Sequence, residues 1–344
     1  MSPGPGPLQF AVRAAIACLP VLSFLLALVL VDTFRLVRRR RVAWALLVGA
    51  VAAAVTYFAN TALMGLVKLP TWSFAIYVAP VVEEVAKGVF VAWLVATRRA
   101  AFLVDTAILG FAVGAGFAVV ENGYYLSRLP DAPLLVWLIR GFGTAVMHGG
   151  ATAVFGLLVQ GFGERRGAGS GRPWLGALVV AMGVHALFNR FMVHPVLSTG
   201  IVVVVVPLAM TAAWRLGEHR LRRWLGHGFD LDSELLALIR EGQVTATPVG
   251  RYLQSLRESF RADVVADMLC LLRLQCELSL RAKGTLLLRE QGFKPAPDPE
   301  LAAKLAEVRW LEKSVGRAGL LAMRPLARWR GRDGWQRHLL EEQA

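Results

Sequence analysis

The chain has 344 residues, of which 56% are hydrophobic and 18% are charged, and this apolar excess is too large for an ordinary soluble protein of that length. Of the formal net charge of +14, +10 lies in residues 1–216, where 17 basic and 7 acidic residues are set between apolar stretches. This distribution indicates membrane topology and argues against a nucleic-acid partner.

Seven apolar segments are long enough to cross a bilayer. A hydrocarbon core about 30 Å thick requires about 20 helical residues, because a backbone group cannot stay unpaired there. The segments cover residues 10–31, 42–66, 71–97, 101–125, 133–161, 174–192 and 195–214. The sequence therefore predicts an all-α fold, a polytopic membrane helix bundle with about seven spans, as a domain of residues 1–216.

Basic residues cluster in the loops that follow every second predicted span. These are Arg35, Arg38 to Arg41, Arg98, Arg99, Arg165, Arg166, Arg172, Arg215, Arg220, Arg222 and Arg223. The opposite side has only Arg13, Lys68, Arg128 and Arg190. The excess of Lys and Arg on the cytoplasmic side of membrane proteins predicts an outside N-terminus and a cytosolic C-terminus.

Residues 217–344 have a different composition, with 21 basic and 17 acidic residues. Apolar residues recur near helical spacing in residues 232–240, 251–289 and 299–314, which predicts amphipathic helices. This region is expected to be a cytosolic, mostly helical, basic domain. Its segment 324–337 carries Arg and Trp, which is typical of contact with an anionic leaflet, although a solvated tail explains it as well.

Two adjacent carboxylates, Glu83 and Glu84, lie midway along the third predicted span. Lys87 follows them at helical spacings of four and three residues, so it can neutralise one carboxylate and leave the other free. The alternative is a purely structural role, in which a buried ion pair fixes helix packing. A single glutamate would be enough for that role, so the second one favours a function.

The next three predicted spans also carry polar groups inside apolar sequence. Glu121 follows Phe117 in the fourth span, His148 lies among small residues in the fifth, and His185 and Asn189 share one helical face in the sixth. Each of these is weak evidence by itself. Because four successive spans carry such groups, we expect them to point into one shared polar site.

Two further charged residues in the spans, Asp105 and Arg140, are interpreted as structural. They are expected to pair with each other within the bundle, which would offset the cost of their burial.

Peptide hydrolysis needs a water molecule, a base that activates it, and donors or a cation that stabilise the oxyanion. Glu83 or Glu84 fits the base, and Asn189 with a histidine fits the oxyanion site. A metal version is also open, in which His148, His185 and a carboxylate ligate Zn²⁺. The sequence has no H-E-x-x-H helix and does not separate the metal from the metal-free mechanism.

Four motifs occur in order between residues 83 and 189. They are E-E-x-x-K at Glu83, Glu84 and Lys87, F-x-x-x-E-N at Phe117 to Asn122, the isolated His148, and H-x-x-x-N at His185 to Asn189. This set resembles the PrsW family of intramembrane proteases, which belongs to a superfamily with the CAAX prenyl proteases and Abi proteins.

The resemblance implies a protease with catalytic residues Glu83, Glu84, Lys87, Glu121, His148, His185 and Asn189, and with Glu121 as the carboxylate of any metal site. It implies a bacterial plasma-membrane enzyme that cleaves a single-pass membrane protein such as an anti-sigma factor in stress signalling. Members are often described as metalloproteases, whereas superfamily relatives are argued to be glutamate enzymes. Residues 217–344 lie outside the motifs.

Two other classes of function use the same kind of sequence. Intramembrane Glu, His and Lys also form proton relays, so a proton-coupled transporter or channel is the main alternative. A non-catalytic membrane scaffold or seven-span receptor is the second. We see no repeat of two halves of the kind found in many transporters, and a scaffold leaves the polar residues without a role.

Overall fold

The computed structural model describes residues 6–166, 172–190, 194–326 and 334–344, and within them it is helical without strands. The chain divides into two compact units. The first comprises residues 1–32 and 36–218, and the second comprises residues 33–35 and 219–344. The domain boundary expected after residue 216 falls inside a continuous helix.

Each of the seven predicted spans has a helix in the structure. The helices are α1 (Pro7–Leu30), α2 (Arg39–Val67), α3 (Thr71–Ser73, a π-helical turn Phe74–Val78, then Ala79–Ala96), α4 (Leu103–Arg128), α5 (Leu134–Leu138, a π-helical turn Ile139–Thr144, then Ala145–Arg166), α6 (Arg172–Asn189) and α7 (Pro195–Arg240). The predicted end of the sixth span at residue 192 lies outside the described residues.

Five of these helices, α1, α2, α4, α5 and α7, are both long and apolar enough to cross a membrane. The apolar part of α6, Trp174–Asn189, is shorter, and α3 carries Glu83, Glu84 and Lys87 in its middle. The structure thus agrees with a helical membrane bundle, while the number of seven spans stays a prediction.

Helices α4 and α5 form the interior of the first unit. In the most apolar stretch of α4, 83% of the residues are buried, and the value for α5 is 78%. The corresponding shares are 17% in α1 and 11% in α7. Because these outer helices leave large apolar side chains uncovered, their free faces suit contact with lipid.

Glycines bring α4 and α5 into close contact. Gly110 and Gly114 lie one turn apart on α4, and a Cβ atom at either position would collide with the α5 backbone, at Thr152 and at His148 respectively. Small residues at this spacing allow two membrane helices to approach closely. The contact therefore fixes the position of His148 through its own backbone.

The basic loops of the first unit meet at one end of the bundle. The guanidinium of Arg41, at the start of α2, donates to the carbonyl of Arg99, between α3 and α4. At the same end, the amide of Gln160 in α5 donates to the carbonyl of Ala101 at 2.6 Å. Two of the basic loops that the sequence placed on one side, those before α2 and α4, are therefore neighbours.

The predicted pair of Asp105 and Arg140 is wrong. Asp105 accepts hydrogen bonds from the backbone N–H groups of Ala101 (2.9 Å) and Phe102 (2.8 Å), so it caps the first turn of α4. Arg140 instead contacts Glu121, which lies much nearer the other end of α4. The two residues are separated because they lie near opposite ends of the bundle.

The second unit contains the end of α7 and the helices α8 (Pro248–Ser255), α9 (Ala262–Glu290), α10 (Leu301–Ala322) and α11 (Gly334–Glu341), with short 3₁₀ turns at Gln243–Ala246 and Leu256–Glu258. Two predictions are corrected. The segment 232–240 is the end of α7, because the helix continues through Pro207 as far as Arg240. The segment 251–289 is broken by the second 3₁₀ turn. Residues 327–333 of the predicted segment 324–337 lie outside the described residues.

A buried polar cluster connects the end of α7 to α9 within the second unit. The ammonium of Lys283 lies 2.6 Å from a carboxylate oxygen of Asp232 and donates to the carbonyl of Gly228 at 2.6 Å. The hydroxyl of Ser279 donates to the same carboxylate at 2.5 Å. Because Lys283 and Asp232 are buried, loss of either would leave an uncompensated charge in the core.

Candidate active site

The first part of the site is a buried pair on α3. Glu84 and Lys87 lie one helical turn apart, and the Glu84 Oε1 and Lys87 Nζ atoms are separated by 2.5 Å. The same carboxylate oxygen lies 2.8 Å from the Nδ1 atom of His185 on α6. With 2% of Glu84 and none of Lys87 exposed, this pair is fully enclosed, and Glu84 already has two strong partners.

His148 lies between two charged side chains. Its Nδ1 atom is 3.0 Å from Lys87 Nζ, and its Nε2 atom is 3.2 Å from Glu121 Oε2. An ammonium group can only donate, so Nδ1 accepts and Nε2 carries the hydrogen that Glu121 accepts. The ring of Phe117 packs against His148 at 5.0 Å and lies under the Lys87 ammonium at 4.6 Å, which accounts for the phenylalanine in the motif.

Glu121 has a second partner, a cation that the sequence did not predict. The Nη2 atom of Arg140 lies 3.1 Å from Glu121 Oε2, and Arg140 Nε donates to the Asn122 side-chain oxygen at 2.9 Å. The Asn122 amide in turn donates to the carbonyl of Ala17 in α1 at 2.7 Å. An arginine inside an apolar span was a sequence signal for this arrangement, but its partner was misassigned.

Glu83 points into the same site and is less constrained than its neighbour. Its Oε1 atom accepts a long hydrogen bond of 3.4 Å from the amide of Asn60 on α2. Its Oε2 atom lies 3.8 Å from His185 Nε2 and is buried with no hydrogen-bond partner among the described residues. Asn60 was missed because a lone asparagine in an apolar helix carries no motif.

The two histidines complete the centre of the site. The rings of His148 and His185 meet edge to face, with their centroids 4.7 Å apart. Glu83, His148 and His185 each offer one ligand atom, and these atoms lie within 4.8 Å of one another. The carboxylate of this group is thus Glu83, whereas the sequence pointed to Glu121.

The donor set fits a divalent metal ion. Two imidazoles and one carboxylate are ligands that leave a fourth position open on zinc. The Glu84 carboxylate engages His185 Nδ1, and a metal-binding histidine commonly has a carboxylate partner of this kind on its other nitrogen. The buried Glu83 Oε2 atom accepts no hydrogen bond from the residues that the structure describes. His148 has both nitrogens engaged, so it would have to exchange one contact to act as a ligand.

Asn189 lies apart from these groups. Its side chain is partly buried, and its amide donates to the carbonyl of Ala75 at 3.1 Å. Among the described contacts, it has none with Glu84, Glu121 or the histidines. The structure therefore brings together six of the seven predicted site residues and leaves Asn189 at the margin, one turn beyond His185.

A comparison with protein-family models agrees with this geometry. The model described as PrsW family intramembrane metalloprotease matches residues 38–213, just over half of the chain. The chain belongs to the PrsW family. The match includes every residue of the site from Asn60 to Asn189 and confirms the resemblance seen in the sequence. Searches of curated proteins and of solved structures found no match.

Membership of the PrsW family makes this protein an enzyme and gives its class. It is an intramembrane protease, and its long apolar helices are those of a membrane protein. The description of the family as metalloproteases suggests a metal, in agreement with the Glu83, His148 and His185 group. The family match favours the protease over the transporter and the scaffold.

Proposed function

We propose that this PrsW-family protease hydrolyses a peptide bond in a single-pass membrane protein, with Glu83 activating the attacking water. One observation carries the assignment of the base. Among the three site carboxylates, Glu84 is paired with Lys87 and Glu121 with Arg140, whereas none of the described ion pairs joins Glu83 to a lysine or arginine. A carboxylate must have a free oxygen to take a proton from water.

The other side chains hold this base and its surroundings in place. Glu84 fixes the ring of His185 through Nδ1, so that Nε2 faces Glu83. Lys87 joins Glu84 to His148 and keeps positive charge in the centre of the site, where an oxyanion would form. Asn189 would serve as an oxyanion donor by exchanging its contact with Ala75 for the substrate.

A metal ion would be held by Glu83, His148 and His185. Zinc suits these ligands best, and when bound it would lower the pKa of a water molecule and polarise the scissile carbonyl. In the metal-free route the same Glu83 takes the proton, and the charge of Lys87 together with the Asn189 amide stabilises the oxyanion. Both routes need a buried, unpaired oxygen on Glu83.

The depth of the site supports a substrate that lies within the bilayer. His185 is about 13 residues from the start of α6, which corresponds to roughly 20 Å along a helix. Under the positive-inside rule, the nearby basic loops, joined by Arg41 and Arg99, support a cytosolic location for that end. The cleaved bond would then lie in the half of the membrane away from the cytosol, with residues 217–344 in the cytosol.

The family resemblance supports the biological setting. We infer a multi-pass protein of a bacterial plasma membrane that cleaves an anti-sigma factor during stress signalling. Such a substrate crosses the membrane once and presents a helix that must unfold locally before cleavage, because helical backbone is shielded from attack by its own hydrogen bonds.

The experiment compares cells that express the wild type, Glu83→Gln or Asp131→Asn at matched levels, by quantitative proteomics of new protein termini. Asp131 is an exposed acid of the same unit and serves as the matched control. Fragments of single-pass membrane proteins are expected with the wild type and with Asp131→Asn and not with Glu83→Gln. Equal fragment profiles in all three strains under several stresses would contradict the proposal.

A second comparison separates the roles of the two adjacent glutamates. Glu83→Gln should leave thermal stability unchanged because no described ion pair involves Lys or Arg at that side chain. Glu84→Gln should lower the stability of purified protein by about 3–5 kcal/mol, the usual cost of breaking a buried ion pair. If the stability losses are reversed, Glu83 is the structural residue and the assignment of the base fails.

A further inference from the structure

Arg140 is a charged residue inside an otherwise apolar stretch of α5. It lies in the π-helical turn Ile139–Thr144, and only 13% of its side chain is exposed. A charge at such a place costs a few kcal/mol on insertion scales and usually marks a function. None of the four motifs includes it.

Three contacts fix the guanidinium plane of Arg140. Its Nη2 atom lies 3.1 Å from Glu121 Oε2, and its Nε atom donates to Asn122 Oδ1 at 2.9 Å. The guanidinium carbon, Cζ, lies 3.8 Å from the centroid of the Tyr125 ring. All three partners are on α4, within two turns of helix. A planar guanidinium can make these contacts at once, whereas an ammonium group cannot.

The charge of Arg140 decides which carboxylate is available at the centre. The Oε2 atom of Glu121 has two partners: it accepts a hydrogen bond from His148 and forms an ion pair with Arg140. Without Arg140, that carboxylate would be held only by His148, and it could turn toward the centre and compete with Glu83 for the histidines. Arg140 therefore separates the carboxylate that orients His148 from the carboxylate that is free to react.

We propose that Arg140 is a positioning residue of the protease: it holds Glu121 so that Glu121 fixes the ring of His148 beside Glu83 and His185. It acts through Glu121 and touches neither the substrate nor the free oxygen of Glu83. This proposal rests on the proposed function for its consequence in catalysis, but the orientation of His148 can be measured without any reaction.

The test uses the full-length protein in nanodiscs with Arg140→Gln and Arg140→Lys. The matched control is Arg128→Gln, which also removes a guanidinium that lies over a tyrosine of α4, since Arg128 is 5.5 Å from the Tyr124 ring and is exposed. Two quantities are measured. They are the kcat and KM for a cleaved membrane substrate, and the ¹⁵N shifts of the His148 ring nitrogens, assigned with a His148→Gln sample.

Both Arg140 variants are expected to lower kcat by about 10- to 100-fold, the usual effect of removing a group that orients an active-site ligand, with KM little changed. The His148 Nε2 shift should move toward that of an imidazole N–H without a carboxylate acceptor, and Glu121→Gln should reproduce that change, while Nδ1 still accepts from Lys87. Arg128→Gln should leave both quantities at the wild-type value. If Arg140→Gln does not fold, Arg140→Lys retains the charge and carries the test.

The proposal is overturned if the His148 shifts in the Arg140 variants equal those of the wild type, or if kcat stays unchanged while the shifts move. A failure of the proposed function is seen differently. In that case the wild type and Glu83→Gln cleave no substrate, while the shift measurement still reports whether Arg140 positions His148.

Discussion

Replacement of Gly114 by alanine should push α4 away from α5 at the level of the active site. The added Cβ atom would lie 2.6 Å from the carbonyl carbon of His148 and 2.7 Å from the Cα atom of Gly149. Both are backbone atoms of α5, so no flexible side chain can move aside. The helix that carries His148 must shift instead.

The size of the shift follows from those distances. An ordinary contact begins at 3.4 Å, and the carbonyl oxygen of His148 would lie nearer still than its carbon, so the backbones must separate by at least about 0.8 Å at this point. Overpacking of this kind costs about 1–3 kcal/mol. A misplacement of about 1 Å in a catalytic group can lower the rate about 100-fold, so activity should fall much more steeply than stability.

The assay combines thermal unfolding in detergent with cleavage of a membrane substrate. Gly123→Ala is the matched control, because it lies on the same helix and a Cβ atom there meets nothing within 4 Å. We expect Gly123→Ala to match the wild type in both measurements. If Gly114→Ala also keeps wild-type stability and kcat, the close contact of α4 and α5 does not hold His148 in place, and the reasoning is wrong.

Three further predictions address single contacts. Asn60→Leu should lower kcat about tenfold, because Glu83 loses its amide donor and the loss of a group that holds an active-site residue costs at least this much. Thr61→Val is the control, since the Thr61 hydroxyl donates to Tyr57 in the same helix, and it should keep the wild-type kcat. Equal kcat values for Asn60→Leu and the wild type would exclude a role for Asn60. Elemental analysis of wild-type protein purified without chelator should find a divalent metal, which Glu83→Gln loses and Glu121→Gln keeps. If Glu83→Gln retains the metal, Glu83, His148 and His185 are not its ligands. Lys283→Met should destabilise the protein by about 3–5 kcal/mol in denaturant unfolding, since it removes the ammonium that pairs with the buried Asp232 carboxylate. A loss below about 1 kcal/mol would show that the pair contributes no more than a surface ion pair does.

Several features of the fold could be predicted from the sequence because the bilayer permits few alternatives. A membrane span must be a helix of a certain length, so apolar runs located α1 to α7 in order. Positions inside one helix were also predictable: Glu84 and Lys87 lie three residues apart, and the structure shows their pair. The end of α7 was missed because an amphipathic sequence can continue an apolar helix without any break.

Contacts between helices were harder to predict, because spacing along one helix does not determine which face meets which neighbour. Arg140 was assigned to Asp105, yet it lies near the opposite end of the bundle and contacts Glu121. Asn60 carried no motif and became visible only through its contact with Glu83. Asn189 lies on the same helical face as His185, one turn further on, but contacts Ala75 at the margin of the site.

The sequence by itself determined the class of the protein, its helical membrane architecture and the set of side chains from which a protease site can be built, since polar residues in apolar spans must turn inward. Only the tertiary structure decided which carboxylate pairs with which cation. Lys87 and Arg140 each take one carboxylate, and Glu83 is left with an unpaired oxygen. That division depends on distances of about 3 Å between different helices, which only the packed bundle defines.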